Sequence, residues 1–360
     1  MYGSCAVQRV RAGVCAVAAA GALLALSGCS GSSDGDARKA EPPQQRPKSL
    51  VPYWVNPDGN AAKQVAAYRK SGHTDDAKLI STIADHPVAE WIGPDNPEGE
   101  IRGITAGAAA ADREALLVLY NIPHRDCQKY SQGGAGDGNA YLAWLDRAIK
   151  GIGDRAATIM LEPDALPHVV DGCTPQKFHE ERFYLLTTAV KRLKALPHVK
   201  VYLDAGNPAW ITDPAKMAEP LKRAGVAQAD GFALNISNYE TTEANTAYGR
   251  DLSALVGGKP FVIDTSRNGN GPAPGEKDPE VWCNPAGRAL GERPTTKTGD
   301  KLIDAYLWVK RPGESDGTCK GGPPAGRWWA DYALDLARNT EARDNAKARA
   351  AEKARKDASE

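Results

Sequence analysis

Short apolar runs rich in β-forming residues recur at 88–92, 116–120, 157–161, 199–203, 231–235, 260–263 and 305–309. Stretches with helical amphipathic spacing precede or separate most of them, at 60–71, 75–84, 139–151, 178–196, 242–256 and 327–338. Uninterrupted apolar runs suit strands covered on both faces, and strands alternating with helices predict an α/β fold around a parallel sheet. The chain has no GxGxxG turn, which favours a (β/α) barrel over a dinucleotide-binding sheet. Seven strands can be counted, one fewer than the usual eight, and imprecise boundaries leave room for another. Outside 51–338 the periodicity stops. Residues 29–50 read as a Ser/Gly/Pro/Gln tether, and 339–360 as a charged tail, either helical or disordered.

The first 28 residues read as an export signal: Arg9 and Arg11, then an apolar stretch at 14–26, then small residues. That stretch is too short to span a bilayer. The segment Leu26-Ser27-Gly28-Cys29 resembles the bacterial lipobox, which implies a lipid on Cys29 and a location on the outer face of the cell membrane. A soluble secreted protein is the alternative. Cys5 and Cys15 would leave with the signal, so Cys127, Cys173, Cys283 and Cys319 remain. Four cysteines outside the cytoplasm suggest two disulfides in one of three pairings. Nearest neighbours, Cys127–Cys173 and Cys283–Cys319, are the chosen pairing. A zinc site is the rival, but there is no CxxC and no histidine at ligand spacing, so no metal is expected.

Charge removes one class of function: 45 basic and 45 acidic side chains leave no basic excess to track a phosphate backbone. Aromatic usage, with 8 Trp and 12 Tyr against 4 Phe, leans toward sugar binding, because flat rings with polar edges stack on pyranose faces while staying wet. Barrel chemistry sits where strands end, and here those ends are acidic. The runs lead into Asp126, Glu162 and Asp164, Asp204, Asp264, and Glu314 with Asp316.

The motifs YWVNP (53–57), YNIPHRDC (120–127), LEPD (161–164), LDAGN (203–207), NISNY (235–239), DTSRNGNGP (264–272), WCNPAGRALG (282–291) and WVKRPGESDGTC (308–319), in this order, resemble glycoside hydrolase family 6, the inverting cellulases. The resemblance covers roughly 51–338. It implies a distorted seven-stranded parallel barrel and no cofactor. Inversion needs an acid for the leaving oxygen and a base for a water on the other ring face. The resemblance assigns Asp164 as general acid, Asp126 as the carboxylate supporting it, Asp316 as candidate base and Asp204 as a further functional carboxylate. A purely structural salt bridge from Asp316 to Lys310 or Arg311 is the alternative for Asp316. Tyr120 matches a residue that crowds the scissile sugar. The family's water-holding serine falls at Gln132, one place beyond Ser131, and Ser131 is the chosen candidate. Trp91, Trp210 and Trp282 match aromatic platforms, and Lys310 and Glu314 match hydrogen-bonding partners of the sugar. Asn238 and Arg267 are expected to buttress the same region. Asn207 stands where relatives have His, and Asp213 where processive members have Trp. Trp308, Trp328 and Trp329 are expected to pack helices and strands, and His124, His168 and His198 to sit on loops or the surface.

Short loops after Asp126 and Asp316 favour an open groove and hence an endo-1,4-β-glucanase acting as a monomer on β-1,4-glucan, with no nucleic acid and membrane contact only through the lipid. A cellobiohydrolase, or a glucan-binding lipoprotein without turnover, are the alternatives.

Overall fold

The computed structural model describes residues 51–128, 130–275 and 280–358. The export signal, the Cys29 motif and the tether lie outside them. Helices α1 (Asn60–Lys70) and α2 (Thr74–Ala84) lead into β1 (Glu90–Ile92), α3 (Pro97–Ala110), β2 (Ala115–Leu119), α4 (Gly138–Ile152) and β3 (Ala157–Leu161). The short α5 (Pro167–Val170), α6 (His179–Lys194), β4 (Val199–Asp204), α7 (Ala215–Arg223) and β5 (Gly231–Leu234) follow. The chain ends with α8 (Thr242–Leu255), β6 (Phe261–Asp264), β7 (Ile303–Leu307) and α9 (Ala330–Asp357).

The seven strands form one parallel sheet in the order β1 to β7, as the apolar runs predicted. Every residue of β2 and β3 is buried, because helices cover the outside and the barrel interior fills with side chains. Successive residues alternate between these two layers. Leu116, Val118, Met160, Tyr202, Val262 and Leu307 belong to the inner cluster. Leu117, Leu119, Ile159, Leu161, Leu203 and Phe261 join the larger outer one, with α4 contributing Tyr141, Trp144, Leu145, Ala148 and Ile152 at helical spacing. Side-chain caps start three of the helices. Asn96, Asp137 and Thr241 accept from the N–H groups of Gly99, Ala140 and Ala244.

The sheet curls until its edges meet without a ladder. At the seam the Ala89 N–H donates to the Trp308 carbonyl at 2.9 Å, the Trp91 indole to the Val309 carbonyl at 2.9 Å, and Arg311 Nε to the Ala89 carbonyl at 3.0 Å. No eighth strand occurs among the described residues. Three helices escaped the sequence reading: α3, whose Ala/Gly-rich face shows little amphipathic contrast, the four-residue α5, and α7, which carries Pro220 inside it. The last helix runs well past 338, so the described part of the charged tail is helical, although its buried residues stop at Ala337. Cys127–Cys173 and Cys283–Cys319 are bonded, with Cα atoms 5.9 and 6.3 Å apart. Loops of this length are worth about 3–4 kcal/mol each in the chain-entropy account. Trp308 is buried and Trp328 and Trp329 are half-buried, as expected. Among the described residues no helix is long and apolar enough to cross a membrane.

Candidate active site

The strand ends turn sharply, and the backbone shows it. His124, Asp126, Cys127, Glu162, Asp164, Asn235 and Ser237 all adopt positive φ without being glycine. Such conformations cost of order 1 kcal/mol or more each and cluster where function fixes a side chain. The loop after β2 also needs Gly134: at φ 98°, a Cβ there would sit 1.9 Å from the Ile122 carbonyl oxygen. These turns bring Trp91, Tyr120, Asp126, Ser131, Asp164, Asn207, Trp210, Asn238, Trp282, Lys310, Glu314 and Asp316 to the wall of one cleft of about 650 Å³. Of the expected site residues Asp204 and Arg267 do not line it; Arg267 is buried and reaches Asp316 from behind. Asp204 lies buried beneath Asp164.

Around β2, β3 and β4 the carboxyl groups meet hydroxyls and backbone amides. The Tyr120 hydroxyl donates to Asp164 Oδ2 at 3.2 Å and lies 3.4 Å from Ser131 Oγ, which donates to Asp126 Oδ2 at 2.9 Å. The Ser131 N–H reaches the same oxygen at 2.6 Å. Asp204 Oδ2 accepts the Asp164 N–H at 2.7 Å, and its Oδ1 accepts the Gly206 N–H at 3.1 Å. Burial, and then the nearby Asp164 charge, raise the Asp204 carboxyl above its ordinary range. Glu162 is buried as well; it accepts the Asn121 and Ile122 N–H groups at 2.8 Å and is pushed up to about 7, burial outweighing those bonds. The arginines here do not pair with these acids. Arg125 packs over the Tyr120 ring at 4.5 Å and donates to the Ser131 and Tyr120 carbonyls. Arg182, buried, donates to the carbonyls of Pro123, His124 and Ala165 and to Thr174 Oγ1.

Around β6 and β7 the setting is reversed. Asp316 Oδ2 accepts from Arg267 Nη1 at 2.9 Å, Tyr239 OH at 3.1 Å and the Asn284 N–H at 3.1 Å, and Lys310 Nζ lies 3.1 Å from Oδ1. Burial alone would raise this carboxyl; Arg267 and Lys310 bring it down to about 2. The ion pair weighed from sequence is therefore present with Lys310, but its other member is Arg267. Arg311 points to Glu314 at 2.9 Å and Glu90 at 3.1 Å instead. Beneath them Asp264 accepts the N–H groups of Ser237, Ser266, Val309 and Lys310, tying three strand ends together.

Two of the cleft tryptophans, Trp91 and Trp210, are held by their indole edges. The Trp210 indole donates to Asp171 Oδ2 at 2.9 Å, and the His168 ring meets its face edge-on at 4.9 Å. Asn207 Oδ1 accepts the Ala209 and Trp210 N–H groups, so its carboxamide shapes the turn carrying that platform. Trp91 stands edge-on to Tyr120 at 5.5 Å, and the Trp282 and Tyr130 rings lie 6.2 Å apart. Gln132 is exposed while Ser131 lines the cleft, which favours the serine. Asp126, Asp164 and His168 bring ligand-capable atoms within 4.8 Å of one another. His168 also lies near Cys127 and Cys173, but those sulfurs are bonded to each other.

Residues 48–340 match the family model described as "Glycosyl hydrolases family 6". The chain belongs to glycosyl hydrolases family 6. It is 43% identical over 297 residues to Endoglucanase A of Cellulomonas fimi, covering 81% of this chain and 62% of that relative. It is 42% identical over 295 residues to Endoglucanase 1 of Streptomyces halstedii, covering 79% and 88%. The chain thus matches less than two thirds of the length of the Cellulomonas fimi relative. Among solved structures it resembles the endoglucanase Cel6 from Mycobacterium tuberculosis in complex with methyl-cellobiosyl-4-deoxy-4-thio-β-D-cellobioside, with a TM-score of 0.75 and 43% identity over 81% of this chain and 98% of that one.

Within this family 6 cleft several residues carry structure that the sequence reading left without a role. His168 is 4% exposed and lines the cleft, against the expectation of a loop or surface histidine. Its helical turn follows LEPD directly, a proximity that could have flagged it. Asp171 fixes both His168 and Trp210, and Glu162 and Asp264 hold loops through backbone amides. Asp213 accepts the Ala215 N–H as a turn residue at the start of α7.

Proposed function

We propose that the protein is an endo-1,4-β-glucanase that hydrolyses internal bonds of cellulose or related β-glucans with inversion. The observation that carries this reading is the single cleft whose lining brings Asp126 and Asp164 together with Asp316 and with Trp91, Trp210 and Trp282. Asp164 delivers a proton to the leaving oxygen. Burial and the charge of Asp164 raise the Asp204 carboxyl beneath it, so the stacked pair disfavours two negative charges and keeps one proton between them. Tyr120 presses on the sugar at the cut and Ser131 orients water beside Asp126. Asp316 is the candidate base; its ion pairs with Arg267 and Lys310 keep it ionised and free to accept a proton, at low proton affinity. Trp91 and Lys310 with Glu314 grip the chain behind the cut, and Trp282 and Trp210 grip it ahead.

The endo mode is supported by the few residues between Asp126 and α4 and between Asp316 and Cys319, too few to roof the cleft. Carboxymethylcellulose viscosity is expected to fall much faster than reducing ends appear. Cellobiose as the sole early product would overturn the endo reading, and unchanged cellohexaose would overturn turnover altogether. The same reading puts a lipid on Cys29, tethering the enzyme to the outer face of the membrane. Cys29→Ser is expected to release it into the medium, and an unaltered membrane fraction would overturn the anchor.

A further inference from the structure

A second hollow, of about 120 Å³, opens on the outer side of the β1–β7 seam. Arg311 and Glu314 line both it and the main cleft, so the two adjoin beside the residues proposed to grip the sugar behind the cut. Arg311 is immobilised by the Ala89 carbonyl, Glu90 and Glu314. Asn60 Nδ2 donates to Glu314 Oε1 at 2.9 Å and Asn56 Nδ2 to Glu90 Oε1 at 2.6 Å, so two amides and two carboxylates are preset along one rim. Trp328 forms part of another wall. Its indole N–H is taken by Gln64 Oε1 at 3.0 Å, which leaves aromatic carbon, and not the polar edge, for a ligand. The hollow is small and open to solvent, so a single sugar ring would rest a face against it. An aromatic surface beside fixed amides, carboxylates and a guanidinium is the chemistry that recognises a polyhydroxylated ring.

We propose that this hollow is a further glucosyl subsite, the third on the non-reducing side of the cut, taking one more unit of the β-1,4-glucan chain. The proposal rests on reading the cleft as a glucanase site and extends it. A chain held by three units behind the cut is not measured off in cellobiose steps, so the hollow also bears on where along a polymer the enzyme acts.

The test uses cellopentaose labelled at its reducing end and the ratio of cleavage at the third bond to cleavage at the second, counted from the non-reducing end. Occupation of the hollow favours the third bond. Ala62→Gln fills it from the helical wall with a residue that suits a helix. Trp328→Ala strips its aromatic surface. Each is expected to lower the ratio about five-fold, somewhat less than the tenfold that about 1.4 kcal/mol represents. A ratio unmoved in the Ala62→Gln protein overturns the subsite, and that variant keeps the Trp328 packing intact. If cellopentaose is not cleaved at all, the glucanase reading fails instead. The subsite is then judged by equilibrium binding of cellopentaose: weaker binding to Ala62→Gln supports it and equal binding overturns it.

Discussion

On the side of the cleft built by β2, β3 and β4, buried carboxyls sit among hydroxyls, backbone amides and one another. On the side built by β6 and β7, Asp316 sits between two cations. All three are buried carboxyls and the proton affinity is opposite: Asp204 and Glu162 are pushed up, and Asp316 is brought down to about 2. Lack of nearby cations does not explain the difference. Arg125 and Arg182 stand close to the first group, but their guanidinium donors go to carbonyl oxygens and to Thr174, whereas Arg267 and Lys310 point at the carboxylate. The orientation of the positive groups sets which wall stores a proton and which stores a charge.

The largest expected effect comes from removing the proton donor. Asp164→Ala should lower turnover of cellulose by about 10³-fold, within the usual range for a general acid. The loss should be much smaller on an aryl cellobioside whose leaving group needs no proton. Equal losses on the two substrates would break the assignment of the proton-storing wall.

Next is the charge-storing wall. Arg267→Met strands Asp316 beside Lys310 alone, and breaking such a buried pair costs about 3–5 kcal/mol. Urea unfolding at pH 7 should show that loss. A change below about 1 kcal/mol would mean that Lys310 suffices.

A sharper contrast comes from pH. Asp316 has a folded pKa below its unfolded value, so its contribution of about 2–3 kcal/mol is present above about pH 4 and is lost as pH falls toward 2. Glu162 has a folded pKa of about 7, above its unfolded value, so its contribution is full below about pH 4 and is lost as pH rises through 7. Glu162→Gln should therefore flatten the loss of stability on the neutral side while leaving the acid side sloped, as measured by unfolding from pH 2 to 8. The smallest shift is kinetic. Asp204→Asn removes the carboxyl that competes with Asp164 for one proton, so the alkaline limb of kcat/KM should shift toward lower pH. An unmoved limb would show that Asp204 does not set the acid's proton affinity.

How much of this contrast was legible beforehand divides along the same line. Apolar runs ending in Asp or Glu mark strands delivering acids to one rim, because strand length and burial are local properties; LEPD and the runs at 116–120 and 199–203 therefore located Asp164, Asp126 and Asp204. The partner of Asp316 was half visible. Lys310 is six positions away, but Arg267 comes from another strand end, and nothing along the chain distinguishes it from Arg311, which turns toward Glu90 and Glu314 instead. His168 was misjudged because a lone histidine carries no spacing signal. Its burial depends on Trp210 and Asp171 closing over it from later loops. Helix α3 was missed because Ala and Gly on both faces erase the periodicity that packing nonetheless uses.

Under the proposed function Trp91 has two duties: its ring faces the glucan, while its indole N–H spans the gap where the first and last strands fail to zip together. A sugar settling on that ring presses directly on the barrel's least-fastened join. The neighbouring Ala89 amide, held by one bond to the Trp308 carbonyl, is thereby a natural gauge of occupancy, its exchange with solvent deuterium slowing as the groove fills.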